Sequence, residues 1–225
     1  MTRRLQYARK GAEPGKARNL VIFLHGYGAD GADLLGLADV LGPHMPDTAF
    51  VAPNAPEKCR VNPFGYQWFP IPWLDGSTEE EARRGIAAAA EDLDAFLDEI
   101  AEKEGIGPEK TIVFGFSQGT MMALHVLPRR DRAVAGIVAF SGRLLEPERL
   151  AVEAKVKPPV LLVHGDADDV VPPAALPEAA RALQDAGFEV YAHVMEGTGH
   201  GIAPDGLSVA LSFMREMLER AEHAD

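Results

Sequence analysis

The stretch TIVFGFSQGTMMAL, Thr111 to Leu124, constrains this chain more than any other. An apolar run, Ile112, Val113 and Phe114, meets Gly115, Phe116, Ser117, Gln118 and Gly119 and passes at once into Met121, Met122, Ala123 and Leu124. Strand, sharp turn and helix must follow one another within a few residues, with a serine at the apex. Glycine on either side of that apex admits a turn too tight for other residues, and the hydroxyl is thrust out above the sheet. The start of a helix also presents unpaired N–H groups and the positive end of a dipole, the surroundings an oxyanion needs. A serine that merely caps a helix is the plainer alternative. The flanking strand and helix favour the elbow.

The rest of the chain alternates in a way that fits such a turn. Leu20 to His25 is a short, continuous apolar run of the kind shown by a strand buried on both faces, and it ends in Gly26, Tyr27 and Gly28. Ala32 to Leu41 has helical spacing, and Thr48 to Ala52 reads as the next strand. Glu79 to Glu104 is the longest helical pattern, with Ile86, Ala90, Leu93, Phe96, Leu97 and Ile100 as its inner stripe and Ser77 or Thr78 as its cap. Strands follow at Val134 to Phe140, Val160 to His164 and Glu189 to Met195, with helices at Pro173 to Ala186 and Leu207 to Ala221. Such βα alternation implies an α/β fold with a mostly parallel sheet and helices on both faces, and functional groups gathered at the carboxyl ends of the strands.

Pro53 to Ser77 breaks the pattern. Five prolines exclude a regular helix or central strand, yet the segment carries Phe64, Tyr66, Trp68, Phe69 and Trp73, including both tryptophans of the chain. A loop of this length in a compact domain is commonly functional. Trp68 and Phe69 are expected to contact substrate; rings that plug the loop onto the core are the alternative, and the two are compatible.

Composition narrows the class. The 225 residues suffice for one domain over 1–225 with a substantial core, and nothing resembles a linker. The charged N-terminus lacks an apolar h-region, and no apolar run approaches the length of a membrane span. A lone cysteine, Cys59, excludes an intrachain disulfide and suggests a reducing compartment, the cytoplasm. A formal charge of −12 disfavours nucleic acid and anionic membranes as partners. The oligomeric state stays open, with a homodimer as one option.

An activated serine needs a base, and His200 is placed for that work in Gly197, Thr198, Gly199, His200 and Gly201, after a strand. His25 and His164 also stand at strand ends before glycine, and are expected to hydrogen-bond within the loops that shape the site. The acid that orients the base is offered by HGDADDVVP, which contains Asp166, Asp168 and Asp169. Asp166, next to Gly165, suits the turn itself. The order serine, aspartate, histidine is that of α/β-hydrolases. Carboxylates adjacent in sequence, without histidine at ligand spacing, make a poor metal site, so no metal is expected. Backbone N–H groups of Gln118 and Tyr27 are expected to form the oxyanion hole. GYGADG, Gly26 to Gly31, also matches the dinucleotide fingerprint, but Val51, Ala52, Pro53 and Asn54 supply no acidic residue at the end of the next strand.

LHGYGADG, PNAP, Trp68 with Phe69, GFSQGTMMAL, Ser141 with Gly142, HGDADDVVP and GTGHGI together resemble the phospholipase/carboxylesterase family of α/β-hydrolases, the relatives of acyl-protein thioesterases. The resemblance runs from about Leu20 to the last helix. It implies the α/β-hydrolase fold, a triad of Ser117, Asp168 and His200, and oxyanion positions at Tyr27 and Gln118. Its pattern selects Asp168 over Asp169. It further implies cofactor-free hydrolysis of a small-molecule carboxylic ester by a serine carboxylesterase, with an acyl-thioesterase or lysophospholipase as the alternative. Two positions depart from the eukaryotic thioesterases: Tyr27 stands where leucine is usual and Pro70 where aspartate is usual.

Overall fold

The computed structural model describes residues 2–223. Seven strands form one sheet: β1 (Tyr7–Gly11), β2 (Asn19–Leu24), β3 (Thr48–Pro53), β6 (Thr111–Phe116), β7 (Gly136–Phe140), β8 (Val160–Gly165) and β9 (Val190–Met195), in the order β1-β3-β2-β6-β7-β8-β9. Only β1 runs antiparallel, pairing Tyr7 with Pro53 through Gly11 with Ala49. Its sequence, YARKG, has no apolar alternation because it is an edge strand, and sequence patterning missed it for that reason. The short hairpin of β4 (Glu57–Lys58) and β5 (Tyr66–Gln67) lies outside the sheet.

The central strands are apolar throughout because both of their faces are covered. Along β2, Leu20, Ile22 and Leu24 join one core with Leu93, Phe96, Ile100 and Met122, while Val21 and Phe23 join the other with Leu41, Phe213 and Met217. The first core lies under α4 (Glu79–Glu104), α5 (Gln118–Val126) and α7 (Ala175–Asp185); the second lies under α1 (Gly31–Leu35), α2 (Ala38–Leu41) and α8 (Pro204–Glu222). Each fully buried Leu or Phe contributes about 1.5–3 kcal/mol, so this double burial holds the sheet rigid under the loops at its carboxyl end.

Helix α4 starts where its chemistry dictates. Thr78 Oγ1 accepts from the Glu81 N–H at 3.1 Å, and the Glu81 carboxylate accepts from the Thr78 N–H at 2.7 Å, a reciprocal cap worth about 1 kcal/mol. The single helix expected over Ala32 to Leu41 is instead two short ones, α1 and α2, interrupted at Gly36 and Leu37, where glycine is a weak helix former. Helix α6 (Pro147–Glu153) was not expected from the sequence. Within the proline-rich segment, α3 (Pro72–Asp75) adds one turn of helix to the β4–β5 hairpin. Among the described residues no helix is long and apolar enough to cross a membrane.

Candidate active site

The serine sits on a strained turn. Ser117 adopts φ 54° and ψ −114°, between the end of β6 and the first residue of α5. Such backbone costs about 1–3 kcal/mol, and the surroundings impose it. The Ser117 N–H donates to Phe140 O at 2.9 Å. Glycine on both sides answers a steric demand: a Cβ on Gly119 would lie 1.9 Å from Leu24 O, and one on Gly115 would lie 2.6 Å from Thr120 N.

Three side chains from three strand ends meet at that turn. Ser117 Oγ lies 3.0 Å from His200 Nε2, and His200 Nδ1 lies 2.8 Å from Asp168 Oδ2. With the proton on Nδ1 shared to the carboxylate, Nε2 is left to accept the serine proton. Asp168 is 5 % exposed. Its Oδ1 accepts from the Val170 and Val171 N–H groups, each at 2.9 Å. Burial pushes the Asp168 carboxyl up, but the His200 hydrogen bond and the two amides outweigh it and hold the group below the usual carboxylate range. The Phe116 ring packs on the His200 ring with centroids 4.9 Å apart. Asp166 Oδ1 accepts from the Gly197 N–H at 2.7 Å and so ties the histidine loop to the aspartate loop. Asp169 is exposed.

The other two strand-end histidines brace the surrounding loops. His25 Nδ1–H donates to Gly26 O at 2.7 Å, and Nε2 accepts from the Ala55 N–H at 2.9 Å. Burial holds its pKa below the usual imidazole value although the Gly26 contact opposes this. His164 Nε2–H donates to Val171 O at 2.9 Å, with Asp168 Oδ2 at 3.3 Å.

The loop after β2 lies against the serine. A Cβ on Gly26 would come 3.3 Å from Ser117 Cβ. The N–H groups of Tyr27, in that loop, and of Gln118, the first residue of α5, have no protein acceptor among the described residues. The Tyr27 loop is stitched to the β4–β5 hairpin: Gly28 N–H donates to Tyr66 O and Tyr66 N–H to Ala29 O, both at 2.8 Å. Asn62 Nδ2 donates to Gly28 O at 2.8 Å. Gly28, at φ 80°, makes this path possible.

The aromatic segment divides into buried and exposed rings. Trp68 has no exposed surface; its Nε1–H donates to His25 O at 2.9 Å. Phe69 is 6 % exposed and shares the same core. Both rings seat the loop on the core, the alternative reading of this segment. Phe64 and Trp73 are the exposed rings, at 88 % and 78 %.

Side-chain struts that sequence reasoning missed hold this loop to the site. Gln118 Oε1 accepts from the Trp68 N–H and Gln118 Nε2 donates to Phe69 O, both at 2.8 Å, so the residue beside the serine clasps the loop with its side chain. The Tyr27 hydroxyl donates to Asp75 Oδ2 at 3.0 Å. Burial first, then contacts with Cys59 and Asp75, push the phenol up from its usual value. A polar residue at the buried start of a helix was the available signal for Gln118, because such a group must find partners; its partners, about fifty residues away, were not readable. No cluster of metal-binding side chains occurs among the described residues.

The arrangement has known relatives. A family profile described as Phospholipase/Carboxylesterase matches residues 9–218. The chain is 32 % identical to a probable carboxylesterase of rice, over 99 % of this chain and 86 % of that protein. It is 34 % identical to acyl-protein thioesterase 1 of Saccharomyces cerevisiae, over 90 % of this chain and 94 % of that one. Its fold superposes on the crystal structure of esterase PE8 with a TM-score of 0.90 at 46 % identity, covering 96 % of this chain and all of that one. With a family match that spans nearly its whole length and an α/β-hydrolase sheet beneath the serine, the chain belongs to the phospholipase/carboxylesterase family and is an ester-hydrolysing enzyme of the serine hydrolase class.

Proposed function

We propose that Ser117, His200 and Asp168 hydrolyse a small-molecule carboxylic ester through an acyl-enzyme. The observation that carries this reading is the unbroken relay from Ser117 Oγ to His200 Nε2 at 3.0 Å and from His200 Nδ1 to Asp168 Oδ2 at 2.8 Å. Ser117 Oγ attacks the acyl carbonyl while His200 Nε2 takes its proton; the ionised Asp168 holds the imidazole in the required tautomer and stabilises the imidazolium. The tetrahedral oxyanion lies between the N–H groups of Tyr27 and Gln118, and each such donor is commonly worth about 2.7–4 kcal/mol. His200 then protonates the leaving alcohol and later activates the water that releases the acid.

Thioester hydrolysis on the same site is the second reading, supported by the likeness to the yeast acyl-protein thioesterase. We read the described residues as one catalytic unit, because a single sheet extends from Tyr7 to Met195 and every site residue lies just past the carboxyl end of one of its strands. A cytoplasmic setting is supported by the sole cysteine, Cys59.

A fluorophosphonate probe tests the assignment: one equivalent is expected on Ser117, with hydrolysis of nitrophenyl esters lost in proportion. Ser117→Ala is expected to abolish both labelling and turnover, a loss of the order of 10⁶-fold in kcat by the precedent of other serine triads. Labelling elsewhere, or turnover surviving in a clean preparation, overturns the nucleophile. An acyl-thioester run beside the oxygen esters ranks the two readings.

A further inference from the structure

We propose that Arg143 recognises an anionic group on the substrate, so that esters bearing a carboxylate near the scissile bond are preferred. This rests on the serine-esterase reading above and adds the substrate class.

The placement of Arg143 follows from the end of β7. Phe140 O accepts two hydrogen bonds from the elbow, from Ser117 N–H at 2.9 Å and Thr120 Oγ1 at 2.8 Å. Ser141 then adopts φ 48°, a left-handed turn in a residue with no exposed surface, while its N–H donates to Val163 O at 2.8 Å. That kink drives Gly142 beneath the elbow helix, where a Cβ would lie 2.5 Å from Thr120 Cβ and 2.8 Å from Ser117 O. Leu144 turns back into the core. Of the four residues from 141 to 144, three are buried and only Arg143 is exposed. Its backbone is thereby fixed to the nucleophile, and chain geometry puts the two Cα atoms no more than about 11 Å apart.

The charge pattern makes this placement informative. Twelve of the fifteen arginines form ion pairs with carboxylates, as expected of a chain with net charge −12. Among the described residues Arg143, Arg181 and Arg215 have no such partner. Arg181 lies on α7 and Arg215 on α8. Arg143 alone stands at the carboxyl end of the strand beside the elbow. A carboxylate there would meet an unspent guanidinium, whose planar fork matches it with two parallel hydrogen bonds.

Two matched pairs of aryl esters test this. One pair varies the acyl limb, a nitrophenyl hemisuccinate against the neutral butanoate; the other varies the alcohol limb, 4-acetoxybenzoate against its methyl ester. The readout is the ratio of kcat/KM for the charged over the neutral ester. Arg143→Gln is expected to lower that ratio roughly tenfold for one limb, since a hydrogen bond to a charged group contributes about that much. Arg143→Lys should recover part of it, and Arg215→Gln, at the opposite end of the sheet beside Asn19 and Thr48, should leave it where it is. Ratios unmoved on both limbs, with the esters still hydrolysed, overturn the proposal and leave the esterase standing. Loss of all turnover in the parent enzyme together with no labelling of Ser117 overturns the esterase reading itself.

Discussion

The elbow and the aromatic loop bring residues to the same site by opposite means. At the elbow, backbone does the positioning: Ser117 and the Asp168 loop leave buried strands at their carboxyl ends, His200 follows the edge strand β9, and the geometry is set by sheet register and, beside the serine, by Gly115 and Gly119, where a Cβ has no room. In the segment from Pro53 to Ser77 only five residues belong to strands, and side chains do much of the positioning: Gln118 clasps Trp68 and Phe69, Tyr27 holds Asp75, and the Trp68 indole reaches His25 O. A site can thus be half register and half cross-bracing. The first half should fail through chemistry when changed, the second through stability.

The sharpest test of the register half is the pair of adjacent aspartates. Asp168 is buried and bonded to His200, whereas Asp169, one residue on, is exposed. Asp168→Asn is expected to cut kcat by about 10⁴, the precedent for a triad aspartate, while Asp169→Asn costs less than about tenfold in kcat, as expected of a surface change. Steady-state kinetics on one ester decide it. The reverse ranking would move the triad by one residue and leave the enzyme class intact.

The cross-braced half is probed by the two tryptophans. Trp68→Ala removes a ring with no exposed surface, and a loss of about 3–5 kcal/mol in unfolding free energy is expected. Any fall in turnover should be the same for short and long acyl chains if the ring acts only as a support for the loop, as its full burial favours. Trp73→Ala, at a residue 78 % exposed, should stay within about 0.5 kcal/mol. Chain-length dependence in the Trp68 variant would identify it as a substrate contact.

This contrast explains what the sequence could and could not reveal. Ser117 and its glycines were legible because strand, turn and helix lie within fourteen residues and each carries its own signature. His200 was legible from its glycine-flanked place after a strand; choosing Asp168 over Asp169 needed the family pattern as well. The sheet was legible in its buried strands, whose apolar runs are unmistakable, but not in β1, where an edge position lets Arg9 and Lys10 stand in a strand. The roles of Trp68 and Gln118 were not legible, since an aromatic ring in a loop has the same sequence signature whether it faces substrate or core. Their meaning depends on partners far along the chain.

Gln118 joins the two halves, and its backbone and side chain should separate. From the sequence its contribution was expected to be the N–H alone, so that Gln118→Ala would keep most activity. The structure changes that expectation: truncation strands the Trp68 N–H and Phe69 O, each buried and each costing about 1–3 kcal/mol when unpaired. Gln118→Ala is expected to lower both thermal stability and kcat/KM, the latter tenfold or more. Full activity with an unchanged melting temperature would show that the loop stands without the clasp.

The smallest effect concerns His25, which touches both halves: its ring takes the Ala55 N–H at the start of the loop, and its carbonyl takes the Trp68 indole. The ring is buried and neutral, because protonation would put a second N–H where Nε2 now accepts. Its folded pKa lies below the usual imidazole value, so as pH falls past about 6.5 the unfolded chain takes up a proton that the folded ring refuses. Stability attributable to this group is complete above that pH and is lost below it, at up to about 1.4 kcal/mol per pH unit. Partly buried His125, also held low by burial and then by Arg129, adds a second contribution of the same sign. Asp168 is depressed too, but as a carboxylate it loses its contribution only as pH falls through a value below 3.8, well outside this window. Melting temperatures between pH 7 and pH 5 should therefore fall for the parent protein, and His25→Asn, whatever its absolute stability, should flatten the slope without abolishing it. A slope that His25→Asn leaves unchanged would remove His25 from the proton balance.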